Sequence, residues 1–259
     1  MEQLHADGAD SLGAGPALDA SRSKAERSSC RGVLAAELQR AHRYEEPFRH
    51  WFSPGIFPAH VTEELSRLPF IVQNLGGASG TREMHNDTRQ FIDPKAISAF
   101  PVCRAVAEAF RSSEVIASIE KLTGAVLEGC SLRIEFAQDT DGFWLAPHTD
   151  LGVKRFTLLY YLDAGGQPDM GTDLYADATT WVKRAPFEPG AALIFVPSDR
   201  TWHGFAQRPI LGVRKTLIVN YVTKEWRARR ELAFPARSIK PSSIRPLIRP
   251  RRRQAQQGG

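Results

Sequence analysis

The chain contains 259 residues, of which 42% are hydrophobic, with 34 Lys and Arg against 29 Asp and Glu. This length suits one domain with extensions, and the hydrophobic content excludes a wholly disordered chain. The net charge of +5 and a sequence pI near 9.3 suggest an acidic partner such as a nucleic acid.

The position of the basic residues weakens that suggestion. Residues 236–259 contain seven basic and no acidic residues, so the rest of the chain has a net charge of −2. A nearly neutral body is not typical of a folded surface that binds nucleic acid. We therefore expect no nucleic-acid partner for the domain itself, and only the tail favours one.

The N-terminal half of the sequence predicts a leader followed by helical support and a lid. Residues 1–32 are rich in Ala, Ser, Gly and Asp, which predicts a disordered leader. From residue 33 to 126, apolar spacing and terminal Pro or Gly residues predict helices. These predicted helices cover 33–42, 58–68, 94–110 and 113–122. Between them, the aromatic residues of 47–57 predict an extended segment, and the polar, Gly-rich segment 75–93 predicts a long loop.

After Gly124 the pattern changes to short β-type runs separated by turn residues. The predicted strands cover 127–137, 143–149, 155–162, 172–175, 179–186, 191–196, 202–206 and 213–222. Consecutive strands with no helix between them predict an antiparallel sandwich or jelly roll. The predicted fold is mainly β with supporting helices (α+β): one domain over 33–235, with a β core at 127–223, N-terminal helices packed on one sheet, and a flexible basic tail at 236–259.

Three residues of the predicted β core are candidate metal ligands. His148 and Asp150 lie in the sequence APHTDLG, and residues two apart in a strand point to the same side. His203 follows in TWHGF, near the start of a later strand. Two imidazoles and one carboxylate form the facial triad of non-haem Fe(II) oxygenases. The alternative is a chance occurrence of the short His-x-Asp pattern.

A candidate anion site lies on the last predicted strand. A period of two places Arg214, Thr216 and Asn220 on one face of VRKTLIVNYV. An arginine with a hydroxyl two residues later can hold a carboxylate. The alternative is that Arg214 is a surface residue, as we expect for Lys215.

From about residue 127 to 222 the sequence resembles the double-stranded β-helix core of the Fe(II)/2-oxoglutarate-dependent oxygenases, and most of all their prolyl-4-hydroxylase-like branch. The resemblance rests on motifs in the family's order: LRIEF, FWLAPHTD, FTLLYYLD, GTDLY, FEPGAALIF, WHG and VRKTLIVNY. It implies a double-stranded β-helix (jelly roll) and a dioxygenase that uses Fe(II), 2-oxoglutarate and O2. Such an enzyme hydroxylates a C–H bond of its substrate and releases succinate and CO2.

The resemblance also implies roles for individual residues. His148, Asp150 and His203 would bind Fe(II), and no further catalytic residue is expected. Arg214 and Tyr161 would bind the distal carboxylate of 2-oxoglutarate, with Thr216 as a weaker candidate. Halogenating relatives have a small residue in place of the carboxylate, so the presence of Asp150 favours hydroxylation.

Candidate substrate contacts lie in the long loop and around the mouth of the predicted barrel. They are Arg82, His85, Arg89, Trp144 and Asn220, followed by Gln73, Asn74, Asn86 and Trp202. A role as a solvated or packing residue explains each of them equally well. For Arg133, on the first core strand, we favour an exposed cation over a substrate contact.

Three functions compete at this point. The first is a small-molecule hydroxylase acting on an amino acid or a biosynthetic intermediate, and the absence of a recognisable peptide-binding module favours it. The second is a hydroxylase of protein residues, and the third is a nucleic-acid-associated protein acting through its basic tail. Three scattered cysteines predict reduced thiols and a cytoplasmic location, and no apolar run predicts a membrane span. The sequence indicates no oligomeric state.

Overall fold

The computed structural model describes residues 29–72, 80–81, 89–150 and 152–240. In these ranges the chain forms a seven-stranded and a four-stranded sheet, and neighbouring strands in both sheets are antiparallel. Helices pack on one face of the large sheet, and the small sheet packs on the other. The predicted α+β jelly-roll architecture is therefore confirmed.

Five α-helices are described in the N-terminal half. They are α1 (29–40), α2 (Ala59–Ser66), α3 (Pro94–Ala99), α4 (Pro101–Arg111) and α5 (Ser113–Thr123). The single helix predicted over 94–110 is wrong, because the chain breaks at Phe100. Phe100 is extended (φ −122°, ψ 117°), the conformation that a following proline favours, and Pro101 then starts α4.

The predicted leader extends too far into the domain. Residues 29–32 belong to α1, in which Cys30, Leu34 and Leu38 form a fully buried stripe at four-residue spacing. The small residues around Cys30 conceal this stripe in the sequence. Residues 1–28 lie outside the described part of the chain.

The strands divide between the two sheets as follows. In order across the large sheet they are β1 (His42–Tyr44), β2 (His50–Ser53), β9 (Ala192–Phe195), β6 (Lys154–Asp163), β11 (Arg214–Val222), β4 (Ser131–Asp139) and β3 (Gln90–Phe91). Across the small sheet they are β5 (Leu145–His148), β10 (His203–Phe205), β7 (Asp173–Tyr175) and β8 (Trp181–Arg184). All eight predicted strands are present. The sequence analysis missed β1 and β3, which are short, and it predicted β2 only as part of the extended segment 47–57.

The central strands give the large sheet two different faces. On β4, Leu132, Ile134 and Phe136 pack in the core beneath the helices. The intervening residues face the small sheet, where they align with inward residues of β11 and β6. The rows are Asp139–Arg214, Ala137–Thr216–Tyr161, Glu135–Ile218–Leu159 and Arg133–Asn220–Thr157. Polar side chains thus collect between the two sheets.

The chain after β11 folds back over β4 and contributes to the same region. A 3-10 helix (Arg229–Glu231) follows β11, and Ala233 N–H donates to Leu132 O at 3.0 Å. Ile239 N–H donates to Cys130 O at 2.8 Å, and the Ile239 side chain is buried. The predicted flexible tail therefore starts too early, because residues 236–240 pack on the domain. Residues 241–259 lie outside the described part.

The cysteines form no disulfide bond in the described part of the chain. Cys30, Cys103 and Cys130 are all buried. Among the described residues, no helix has both the length and the apolar character needed to cross a membrane.

Candidate metal centre

The small sheet brings the three candidate metal ligands together. His148 ends β5 and pairs directly with His203, which starts β10. Asp150 follows β5 by two residues, so its carboxylate returns to the same side. The ligand atoms of His148, Asp150 and His203 all lie within 4.8 Å of one another. One metal ion can therefore bind all three side chains.

Backbone contacts orient both imidazoles for metal binding. His148 Nδ1 lies 3.0 Å from Ala146 O, and His203 Nδ1 lies 2.9 Å from Thr201 O. A carbonyl can only accept, so each Nδ1 carries the proton and each Nε2 carries the lone pair. Burial and the neighbouring His148 lower the pKa of His203 to about 4. His203 is therefore neutral at physiological pH, which is the form that binds metals.

Asp150 is an ionised, buried carboxylate. Burial alone raises the pKa of Asp150, but the positive charge of Lys154, the His203 ring and hydrogen bonds from Lys154 and Thr157 outweigh this effect. The pKa of Asp150 therefore lies well below its usual range. Thr157 Oγ1 donates to Asp150 Oδ2 at 2.8 Å, while Lys154 Nζ pairs with Oδ1. The donor set of two imidazoles and a carboxylate fits Fe(II).

Gly204 allows β5 and β10 to approach each other at the metal centre. A Cβ atom at position 204 would lie 2.7 Å from Leu145 O and 3.1 Å from Ala146 O. The glycine of the WHG motif therefore allows His203 to lie directly opposite His148.

Gly204→Ala is expected to weaken divalent-metal binding at least tenfold and to lower stability by about 1–3 kcal/mol, because the new methyl group forces β5 away from β10. Isothermal calorimetry with Co(II) and thermal unfolding test both effects. Gly32→Ala in α1 is the matched control, since a Cβ there meets nothing within 4 Å. Unchanged Co(II) affinity in Gly204→Ala would contradict this role.

A cavity of about 650 Å³ connects the metal centre with the polar face of the large sheet. Arg214 lines this cavity and is only 2% exposed, which rules out the surface alternative. Its Nε donates to Met170 O and its Nη1 to Asp139 Oδ2, both at 2.6 Å. Neither of these two contacts uses Nη2, which is the guanidinium nitrogen that could donate to a ligand.

The two other cosubstrate candidates lie beside Arg214. Thr216 is fully buried, and its hydroxyl has no hydrogen-bond partner in the described part of the chain. Tyr161 lies directly across from Thr216 in the sheet. Its hydroxyl donates to Thr172 Oγ1 at 3.1 Å and accepts from Thr172 N–H at 3.2 Å. Thr172 lines the cavity and is therefore a contact that the sequence analysis missed, although it lies in the GTDLY motif.

The structure separates the substrate candidates. Arg89 lines the cavity, is 17% exposed in its side chain, and pairs with Glu135 at 3.3 Å. Trp144 does not line it; its indole packs against Gly80, where an added Cβ would lie 2.3 Å from the ring. Asn220 is fully buried and contacts Thr157. Trp202 is half-buried. The remaining candidates lie outside the described residues: Gln73, Asn74, Arg82, His85 and Asn86.

The expectation that Arg133 is exposed was wrong. Its guanidinium is buried between the rings of Phe91 and Trp226, at 4.8 and 4.9 Å from their centroids. It pairs with Glu231 at 2.7 Å and with Glu135 at 3.1 Å. The face that looks toward the small sheet carries Arg133, not Phe136. Glu231 is 98 residues away in sequence, so no local pattern reveals this pairing.

Comparisons with known proteins identify the fold. No protein-family model and no curated protein matches the chain. A prolyl hydroxylase from Trichoplax adhaerens, solved with a hypoxia inducible factor peptide fragment, matches 81% of this chain and 94% of its own, with 14% identity and a TM-score of 0.51. A Pseudomonas putida prolyl-4-hydroxylase matches 75% and 94%, with 17% identity and a TM-score of 0.47.

A third solved structure also matches. HygX from Streptomyces hygroscopicus, with nickel and 2-oxoglutarate bound, matches 69% of this chain and 85% of its own, with 17% identity and a TM-score of 0.47. At such identities the similarity concerns the fold alone. The Trichoplax structure supports the jelly-roll fold that the sequence motifs implied.

Proposed function

We propose that the protein is an Fe(II)- and 2-oxoglutarate-dependent dioxygenase. The observation that carries this proposal is the convergence of His148, Asp150 and His203 in a cavity that also contains the buried Arg214. When bound, iron and 2-oxoglutarate would supply the oxidative chemistry that hydroxylates a C–H bond with O2 and releases succinate and CO2. The protein's own contribution is to hold the ligands, orient the substrate and exclude water.

The cosubstrate would lie between the metal and the end of β11. Arg214 offers Nη2, and Thr216 offers an unpaired buried hydroxyl, so both fit a carboxylate. Tyr161 would act through Thr172, because their hydroxyls already share a hydrogen bond. Asp139 holds the guanidinium in place but also shares its positive charge, which lowers the attraction available to a second carboxylate.

We further propose a small-molecule substrate, such as an amino acid or a biosynthetic intermediate. A cavity of about 650 Å³ is within the range of small-molecule sites. Its wall beyond the metal carries both signs of charge, on Arg89, Arg133, Glu135 and Glu231, which suits a polar substrate. A protein-residue hydroxylase is the second candidate, because the Trichoplax enzyme of similar fold was solved with a peptide. The near-neutral body disfavours a nucleic-acid-associated protein.

We propose that the domain comprises the region predicted over 33–235, extended at its start by residues 29–32 of α1 and at its end by the packed residues 236–240. We also propose a cytoplasmic location, which is favoured by three buried cysteines that form no disulfide bond in the described part of the chain.

Succinate formation tests the function directly. The full chain with Fe(II), ascorbate, 2-oxoglutarate and O2 should release succinate well above its background with at least one member of a panel of amino acids and small metabolites. Proline-containing peptides form the second arm, and stimulation by peptides alone would favour the protein-residue hydroxylase. Metal-loaded protein that releases no succinate with any compound, or without one, would contradict the oxygenase assignment.

The role of the basic tail has its own test. A chain ending at Ile244 should turn over the small substrate within about twofold of the full chain, since every cavity-lining residue in the described part of the chain precedes it. Filter binding of DNA and RNA at increasing salt measures any affinity that the tail confers. A large loss of turnover together with a loss of salt-sensitive nucleic-acid binding would favour the nucleic-acid-associated alternative.

A further inference from the structure

A buried hydrogen-bond chain runs from Asp150 across the large sheet. Thr157 Oγ1 donates to Asp150 Oδ2 at 2.8 Å and accepts from Asn220 Nδ2 at 2.9 Å. Asn220 Oδ1 accepts from Arg133 Nη1 at 3.3 Å. We call these four residues the Asp150 relay. None of its steps was expected from the sequence, where Asn220 was a candidate substrate contact.

The donors and acceptors of the relay allow its hydrogen bonds to run in one direction only. Arg133 can only donate, so the amide oxygen of Asn220 must face it and the amide nitrogen must face Thr157. The Thr157 hydroxyl has one proton, and since it accepts from Asn220 it donates that proton to Asp150. Every member is therefore satisfied in a single arrangement, which fixes the rotation of the Asp150 carboxylate.

The relay lies on the three longest strands of the large sheet. Arg133, Asn220 and Thr157 are direct cross-strand neighbours on β4, β11 and β6, which are adjacent in that sheet. Asn220 is 0% exposed, and Arg133 and Thr157 are each 2% exposed. Glu135 and Glu231 anchor the guanidinium of Arg133 at the far end. Placement of supporting residues on long, paired strands is how a fold holds a metal ligand with little freedom.

The two oxygens of Asp150 differ in how they are held. Oδ2 accepts from the relay, whereas Oδ1 pairs with Lys154, a long side chain that is 17% exposed. We propose that Thr157 and Asn220 are positioning residues for the metal centre, which hold Oδ2 and thereby keep the Asp150 carboxylate in the orientation in which it lies beside His148 and His203. This inference rests on the proposed function in so far as the metal is the catalytic iron.

The test measures metal affinity without turnover. Thr157→Val keeps the shape of the side chain but removes its hydroxyl, and Co(II) affinity by calorimetry should fall about 10- to 100-fold, the usual effect of losing a partner of a metal ligand. Thr157→Ser, which keeps the hydroxyl, should restore affinity to within about threefold. Asn220→Leu should also weaken binding, and in the double variant the losses should not add, because both residues act through one contact with Asp150.

Thr62→Val is the matched control for damage to the fold. Thr62 is also buried and hydrogen-bonded, to Tyr160 Oη at 2.5 Å, but on the helix-covered face of the large sheet. The Thr62→Val variant should lower the melting temperature, as Thr157→Val does, and leave Co(II) affinity unchanged. Equal affinities for folded Thr157→Val and the wild type would overturn the relay.

The relay and the proposed function fail in different ways. If the wild type binds Co(II) and Thr157→Val weakens it, but 2-oxoglutarate does not bind to the metal-loaded protein, then the function is wrong and the relay stands. If 2-oxoglutarate binds and Thr157→Val keeps full Co(II) affinity, the relay alone is wrong. A wild type without metal affinity overturns both.

Discussion

Replacing His148 by Ala is expected to reduce Fe(II) affinity by more than about 100-fold and succinate formation to background, because two of three ligands cannot hold the ion against water. The His148 ring lies 4.4 Å from the His203 ring, centroid to centroid, so its loss also opens the site to solvent. Anaerobic equilibrium dialysis measures the affinity, and NMR of succinate measures the turnover.

His60→Ala is the control for this variant. His60 is an exposed histidine of α2 and does not line the cavity. Its replacement should leave both readouts unchanged. Fe(II) binding at wild-type strength in His148→Ala would exclude this histidine as a ligand.

Replacing Arg214 by Ala is expected to weaken 2-oxoglutarate binding about 10- to 100-fold while metal affinity survives, because hydrogen bonds to charged groups contribute about 1.5–3 kcal/mol. Titration of 2-oxoglutarate into Co(II)-loaded protein measures the effect. Lys215→Ala is the control, since Lys215 is the neighbouring cation on the opposite face of β11 and donates to Ser66 O.

The ion pair with Asp139 complicates this experiment, because Arg214→Ala leaves a buried carboxylate unpaired, which costs about 3–5 kcal/mol. A second variant, Arg214→Met with Asp139→Asn, removes both charges together and should fold better. Wild-type 2-oxoglutarate affinity in either folded variant would show that the carboxylate binds elsewhere.

The sequence predicted those parts of the molecule that depend on local pattern. Short β-type runs between turn residues located all eight core strands, and the two-residue spacing of His148 and Asp150 placed them on one side. It also placed Arg214 and Thr216 on one face of β11, and that face does look toward the small sheet. These predictions succeed because the period of a strand is fixed by its backbone geometry.

The predictions that failed depend on contacts between distant segments. Alternation divides β4 into two faces but does not say which one the helices cover, so Arg133 was assigned to the wrong environment. Its partner Glu231 lies close to Arg133 only because the chain folds back after β11. The relay through Thr157 and Asn220 likewise requires the register of three strands, which no single segment of sequence contains.

One wall of the cavity is formed by buried charged residues. Arg133, Glu135 and Glu231 are buried together, and replacing such groups by apolar residues often leaves a protein as stable or more so. Their contribution is therefore better explained by geometry than by stability. They fix one end of the Asp150 relay and one wall of the proposed substrate site.

Anaerobic titration of the wild-type protein with Fe(II) and 2-oxoglutarate tests the central claim most directly. The triad and Arg214 predict a weak metal-to-ligand charge-transfer band in the visible that saturates at one iron per chain and is lost in His148→Ala. No band in iron-loaded wild-type protein, or a band that persists unchanged in His148→Ala, would contradict the assignment of this site.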